Sequence, residues 1–389
     1  MKVIHLIKSL CWGGAEALLL EGFKVVDRSR FTLEYAYYIA EHSEVALQLQ
    51  AQGAPVHLFD AGNEFGMMRA VAQTARYLKE AKADIVHAHL PLAGVVGRLA
   101  ARRAGIPIVY TEHNPTDSYH PATQAASWAT WGLQDRAIAI SADVAASMRR
   151  HGGTRARIVT VPNGIDTDRF TPSGANREDV RARIGLPADV PVVGVVAQFR
   201  AQKQLDLWLA AARAIRDARP DARFLIVGNG PLWDEIRTTS TELGLDDAVL
   251  FAGAQADVRP YTEAMDVFMM TSKYEGAPLA PIEAMAMRVP VVSLEVEGIR
   301  NLVTSGTDGL LVPLGPDAVS RMAAEVVRLL DDPERKGRLS AAGRMVAVER
   351  YGLARMQRTL EALYEEVLSE HFGTSGTSAG WTDVPGPSL

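Results

Sequence analysis

Two glutamates bracket the segment Glu275-Gly-Ala-Pro-Leu-Ala-Pro-Ile-Glu283, which follows the apolar run 267–270 and leads into the helix-forming run EAMAMR. Two acids at this spacing invite a general acid and base assignment. Their surroundings suggest another use. Gly276 permits a tight turn, and Pro278 and Pro281 suit the first helical turn, where a missing N–H costs little. The remaining free amides, with the partial positive charge of a helix start, attract phosphate or polar sugar oxygens. Carboxylates flanking that start are badly placed for phosphate. They are well placed to accept hydrogen bonds from sugar hydroxyls.

Other segments carry chemistry of the same kind. Gly13-Gly14-Ala15-Glu16 joins a first strand to a first helix, as either a packing turn or a loop whose backbone a ligand can approach closely. Tyr110-Thr-Glu-His113-Asn ends a strand, so His113 is a hydrogen-bond partner or proton carrier unless its ring is satisfied structurally. His87 and His89, alternating on the preceding strand, read as structural. Gln198-Phe-Arg200-Ala-Gln-Lys203 follows VVGVVA and opens a helix, where cations would neutralise a leaving diphosphate. FLIVGNGP, with Gly228 and Gly230, is a strand–turn–helix junction. The D-x-D string Asp166-Thr-Asp168 sits in a linker and not after a strand, so it is read as structural and not as a metal site.

The elements that must position these residues are short Val- and Ile-rich runs separated by Ala-rich helical stretches, the pattern of parallel strands buried on both faces. In the first half the strands are expected at 3–7, 33–39, 56–59, 84–89, 106–111, 137–140 and 157–161, with helices such as 66–81 and 92–104 between them. A stretch from Pro162 to about Ala175 reads as a linker. A second set follows at 191–197, 224–228, 249–253, 267–270, 289–294 and 309–313, with a helix near 203–219. The chain is helical from Gly315 to about Phe372 and ends in a Gly- and Ser-rich tail, 373–389, expected to be disordered. The fold class is therefore α/β, with an N-terminal Rossmann-like domain at 1–170 and a C-terminal one at 185–350. Residues 353–372 are expected to cross back onto the first. Open α/β sheets bind ligands beyond the carboxyl ends of their strands, so two in tandem make a cleft.

Composition excludes several classes. A 389-residue chain with 48% hydrophobic and 22% charged residues is neither disordered nor membrane-spanning, and its longest apolar runs fall short of a spanning helix. A net charge of −5 argues against a nucleic-acid partner. The single Cys11 supplies neither a disulfide nor a cysteine metal cluster. The N-terminus lacks a signal peptide's apolar region, and a cytoplasmic location is expected. Arg149, Arg150, Arg155 and Arg157 form the basic cluster best suited to peripheral contact with anionic lipid on the inner membrane face, or else a solvated helix end.

The segment from Glu275 through EAMA, with the four segments at 13–16, 110–114, 163–170 and 198–203, resembles the retaining glycosyltransferases of the GT-B fold grouped as glycosyltransferase family 4, over roughly residues 1–370. The resemblance implies that Glu275 bonds a donor-sugar hydroxyl, that the amides around Ala277 and Leu279 contact the sugar, and that Glu283 holds the ribose. It also places Gly14 against the donor diphosphate, His113 beside the transferred sugar, Lys203 on the leaving group, and Gly228 and Gly230 beside the nucleotide. Asn163-Gly-Ile-Asp166 through Phe170 resembles the family's segment between domains. Two departures stand out. Gln198 occupies a position where Arg is common, and Arg200 is expected to compensate. Glu297 and Asn301 replace a frequent Gly and Glu.

The resemblance implies hexosyl transfer from a nucleoside diphosphate sugar, a UDP- or GDP-sugar, to a hydroxyl acceptor with retention, and with no metal or other cofactor. The acceptor, a sugar, a lipid-linked sugar or a small metabolite, is expected to be recognised between the first strand and about Trp131. A sugar-nucleotide epimerase of the same fold and a non-catalytic sugar-nucleotide binder are the alternatives.

Overall fold

The computed structural model describes residues 1–40, 43–152, 157–174 and 177–373, and separates into two compact units, Met1–Gly164 with Leu353–Leu389, and Ile165–Gly352. Residues 374–389, most of the expected tail, and Arg155 lie outside the described residues.

In the first unit seven strands, β1 (Lys2–Ile7), β2 (Thr32–Tyr37), β3 (Val56–Leu58), β4 (Ile85–His89), β5 (Ile108–Glu112), β6 (Arg136–Ala139) and β7 (Arg157–Thr160), form one parallel sheet in the order β3-β2-β1-β4-β5-β6-β7. β1, β2, β4, β5 and β6 are buried almost throughout, as expected of parallel strands covered on both faces. Register sets His5 beside His87, and His89 beside Thr111. The helix Leu353–His371 belongs to this unit and packs against the helix Gly14–Val25. It is anchored at the start of β6, where Arg136 Nη2 reaches Glu366 at 3.0 Å and Glu370 at 2.6 Å.

The helix expected at 66–81 is two helices, Glu64–Arg69 and Val71–Glu80. The Asn63 side chain caps the first by accepting from the Gly66 N–H. At Ala70 the backbone N–H is shared between the Gly66 and Met67 carbonyls, and this turn separates the two.

In the second unit, β8 (Val192–Val196), β9 (Arg223–Val227), β10 (Val249–Gly253), β11 (Val267–Met270), β12 (Val291–Leu294) and β13 (Leu310–Val312) form a parallel sheet in the order β10-β9-β8-β11-β12-β13. Its core includes Val193, Phe224, Ile226, Phe268 and Trp208, all fully buried. Ile165 and Phe170, from the stretch expected as a linker, are also buried in this core. The Asp166 carboxylate accepts from the Asp168 and Arg169 N–H groups, a turn-forming role that occupies one of its oxygens. In each sheet the strand order reverses once, between β1 and β4 and between β8 and β11. Ligand crevices form outside the strand ends at such a reversal.

Candidate functional site

In the second unit the loops leaving β8 and β11, the two strands at the reversal, are stitched together. The chain leaves β8 through a single 3₁₀ turn, Ala201–Lys203, and Gln204, at φ +46°, redirects it into the helix Leu205–Ala218. Thr271 Oγ1 donates to the Lys203 and Gln204 carbonyls at 3.2 and 2.9 Å. Lys273 N–H donates to the Gln202 carbonyl, and Gln202 Nε2 to the Tyr274 carbonyl, each at 2.8 Å. These bonds bring Lys203 Nζ to 2.6 Å from Glu275 Oε1. The Glu275 side chain is 6% exposed and that of Lys203 23%. The cation and the carboxylate therefore act as one unit, a juxtaposition that sequence spacing does not express.

The segment after Glu275 is a helix start, as its prolines suggest. Pro278 is the N-cap residue, and Leu279–Ala286 is the helix, with Pro281 in its first turn. Ala277, Leu279 and Glu283 are half-buried along it. Glu275 N–H is held by the Glu297 carbonyl at 3.2 Å, so Glu297 supports the turn through its backbone. The Asn301 carbonyl accepts from Tyr351 Oη at 3.0 Å.

The β8 and β9 loops also meet. Phe199 N–H donates to the Asn229 carbonyl and Leu232 N–H to the Phe199 carbonyl, which surrounds Gly228 and Gly230 with backbone. Gly228 has φ +134°, and a Cβ there would lie 1.9 Å from the Ala197 oxygen; one on Gly230 would lie 2.7 Å from the Phe199 nitrogen. Only glycine fits. Gln198 and Arg200 are exposed on either side of the buried Phe199, and Arg200 forms no ion pair among the described residues. The structure thus gathers Gln198, Arg200, Lys203, Gly228, Gly230 and Glu275 on neighbouring loops of one unit.

Gly14 and His113 belong to the other unit. Gly14 is the first residue of its helix, with open space where a Cβ would stand. His113 follows β5 on a turn held by a residue that sequence reasoning passed over. The buried Glu112 carboxylate accepts from Tyr110 Oη and Tyr119 Oη, each at 2.6 Å, and from the His113 N–H at 3.0 Å. Burial pushes the Glu112 carboxyl above its usual range, and these donors pull it back. His113 Nε2 lies 3.2 Å from His89 Nδ1, and His89 Nε2 lies 2.9 Å from His5 Nδ1. His87 is separately satisfied, by Tyr364 Oη at 2.6 Å and Thr111 Oγ1 at 2.7 Å. Its structural reading agrees with this geometry, whereas His89 bridges to the candidate site residue.

These histidines line a cavity of about 50 Å³ whose other walls are mainly apolar side chains such as Leu19, Ile138 and Met356. Burial lowers all four: His113 to about 4, His5 to about 3, and His87 and His89 well below the ordinary value. The i, i+2 pairs His87/His89 and Thr111/His113 on neighbouring strands were the available sequence signal, because alternate strand residues share a face.

Of the basic cluster, Arg150 is paired with Asp117 at 2.9 Å and Arg157 with Glu366 at 3.0 Å. No helix among the described residues is long and apolar enough to cross a membrane.

Two parallel α/β units of this topology define a GT-B fold. Anabaena HepE, in its structure with UDP and glucose, superposes with a TM-score of 0.84 at 22% identity, covering 94% of this chain and all of that one. Residues 36–169 match the model described as Glycosyltransferase Family 4, and 190–332 the model described as Glycosyl transferases group 1. A D-inositol 3-phosphate glycosyltransferase of Nocardiopsis dassonvillei is 31% identical over 325 residues, 77% of this chain and 73% of that protein. The Escherichia coli UDP-Gal:alpha-D-GlcNAc-diphosphoundecaprenol alpha-1,3-galactosyltransferase is 29% identical over 277 residues, 68% and 71% of the two chains. The chain belongs to the group 1 glycosyltransferases of glycosyltransferase family 4.

Proposed function

We propose that this glycosyltransferase moves a hexosyl group from a UDP- or GDP-sugar to a hydroxyl acceptor with retention at the anomeric carbon and without a metal. The Lys203–Glu275 pair beside a helix start carries the reading. The lysine supplies positive charge for a departing diphosphate, the free amides of the turn supply donors, and the carboxylate grips a sugar hydroxyl. Glu283 takes the ribose, and His113 keeps the sugar contact that the family resemblance gives it. HepE binds UDP, and the Escherichia coli relative takes a UDP-sugar donor and a lipid-linked acceptor, which supports a nucleotide-sugar donor here.

Glu275 is tied to Lys203, which suits it for orienting sugar and not for attacking it. The acceptor oxygen therefore bonds to the anomeric carbon on the face from which the diphosphate leaves. As that carbon–oxygen bond breaks, a departing phosphate oxygen takes the acceptor's proton.

The test is incubation with a panel of UDP- and GDP-sugars, with and without hydroxyl acceptors and with chelator, following nucleoside diphosphate release and the product's anomeric configuration by NMR. Acceptor-dependent, chelator-insensitive release with retention is expected. Release of an altered sugar without acceptor would replace this reading with an epimerase. Binding without turnover on any acceptor would replace it with a binding protein.

A further inference from the structure

Three histidine rings on three neighbouring chain segments form one hydrogen-bonded row: His5 on β1, His89 on β4 and His113 just after β5. His5 is stacked between Tyr35 and His89, with ring centroids 5.1 and 5.2 Å apart and interplanar angles of 16° and 19°. The far nitrogen of the row, His5 Nε2, is buried and has no partner among the described residues. The near nitrogen, His113 Nδ1, has none there either.

A three-histidine group in an apolar cavity invites a metal reading, because ring nitrogens of His5, His87 and His89 lie within 4.8 Å of one another. The details oppose it. The 2.9 Å contact between His5 Nδ1 and His89 Nε2 is hydrogen-bond length and requires a proton between them, whereas two ligands would both present lone pairs. Both nitrogens of His87 are already engaged by hydroxyls.

Burial keeps the three rings neutral, so each carries one N–H and one lone pair. A row of such rings has only two proton orders. If every ring donates away from His113, the chain ends with an N–H on the buried His5 Nε2, which meets no acceptor among the described residues. If every ring donates toward His113, the chain ends with a bare lone pair on His5 Nε2. Buried N–H groups left without an acceptor are the rarer defect. The second order is therefore favoured.

We infer that His89 and His5 are positioning residues that fix the tautomer of His113, with its Nε2 accepting from His89 and its proton held on Nδ1. His113 then meets its ligand as an N–H donor toward a sugar oxygen and not as a base. A free histidine side chain favours the opposite tautomer, with the proton on Nε2, so the row holds all three rings in a state that none would adopt by itself. The chemical role rests on the proposed function; the tautomer does not.

The experiment is long-range proton–nitrogen NMR on the full chain labelled at histidine nitrogens, with the His113 signals assigned from a His113→Gln variant. Wild-type His113 is expected to show a protonated Nδ1 and a bare Nε2. His89→Phe should move it toward the Nε2–H form. His89→Asn, whose amide can donate from the position of Nδ1, should restore the wild-type pattern and recover turnover lost in His89→Phe. A proton on Nε2 in the wild type overturns the inference without requiring any variant to fold, and so does a folded His89→Phe with unchanged His113 signals. A locked tautomer combined with unaltered transfer in His113→Gln supports the lock and removes His113 from the sugar, so the two readings fail separately.

Discussion

Lys203 and Glu275 are 72 positions apart in sequence, yet their Nζ and Oε1 atoms are 2.6 Å apart, at the ends of loops that leave two neighbouring strands. The pair turns the two isolated features read from the sequence, an acidic turn and a lone cation, into a single preorganised element. Removing either member should therefore disturb the other.

Glu275→Ala and Lys203→Ala are each expected to lower turnover at least roughly tenfold, about 1.4 kcal/mol of transition-state stabilisation. Lys203→Ala also leaves a nearly buried carboxylate without its cation, which should cost about 1–3 kcal/mol of stability. Turnover assays and urea unfolding of both variants check this. Wild-type turnover in either one would remove the pair from the site.

Arg200 stands exposed on the same loop as Lys203, where Gln198 replaces an arginine common in the family. If Arg200 supplies the missing charge, Arg200→Ala should weaken turnover, and the double variant with Lys203→Ala should depart from additivity. A negligible, independent loss from Arg200→Ala would sink that compensation.

At Gly228 a side chain has nowhere to go, since a Cβ would strike the Ala197 oxygen and φ lies in the region favoured by glycine. Gly228→Ala should destabilise the second unit by at least about 2 kcal/mol, read as a lowered unfolding midpoint. An unchanged midpoint would mean that the loop relaxes and that close backbone approach is not required there.

The first unit should be sensitive to acid. His5 and His113 have folded pKa values of about 3 and about 4, against an ordinary value near 6.5, so between these limits the unfolded chain binds more protons than the folded one. Stability is then highest above pH ~6.5 and is lost as pH falls toward ~4, by about 1.4 kcal/mol per pH unit for each such proton. Glu112, raised by burial, opposes part of this loss, because its folded form takes up a proton more readily than the unfolded one. Unfolding midpoints measured from pH 4 to 8 should fall on acidification, with a shallower slope in His5→Phe. A flat profile in the wild type would contradict neutral burial of these rings.

Sequence alone determined the strand positions, since parallel strands covered on both faces must be continuous apolar runs, and runs such as 249–253 and 267–270 coincide with β10 and β11. It also marked the helix start after Glu275, because glycine and proline state their backbone requirements locally. What it did not express was pairing at a distance. The turn at Ala70 that divides one expected helix depends on bifurcated backbone bonding, which side-chain periodicity does not record. Glu112 looked like part of a strand-end motif, and only the arrival of Tyr119 and the fold of its own loop made it the anchor of His113. The Lys203–Glu275 contact and the row His5–His89–His113 arise because a parallel sheet sets side by side strands that the chain reaches only after long crossovers. Residue type fixed what each group could do. Strand order and register decided which groups would do it together.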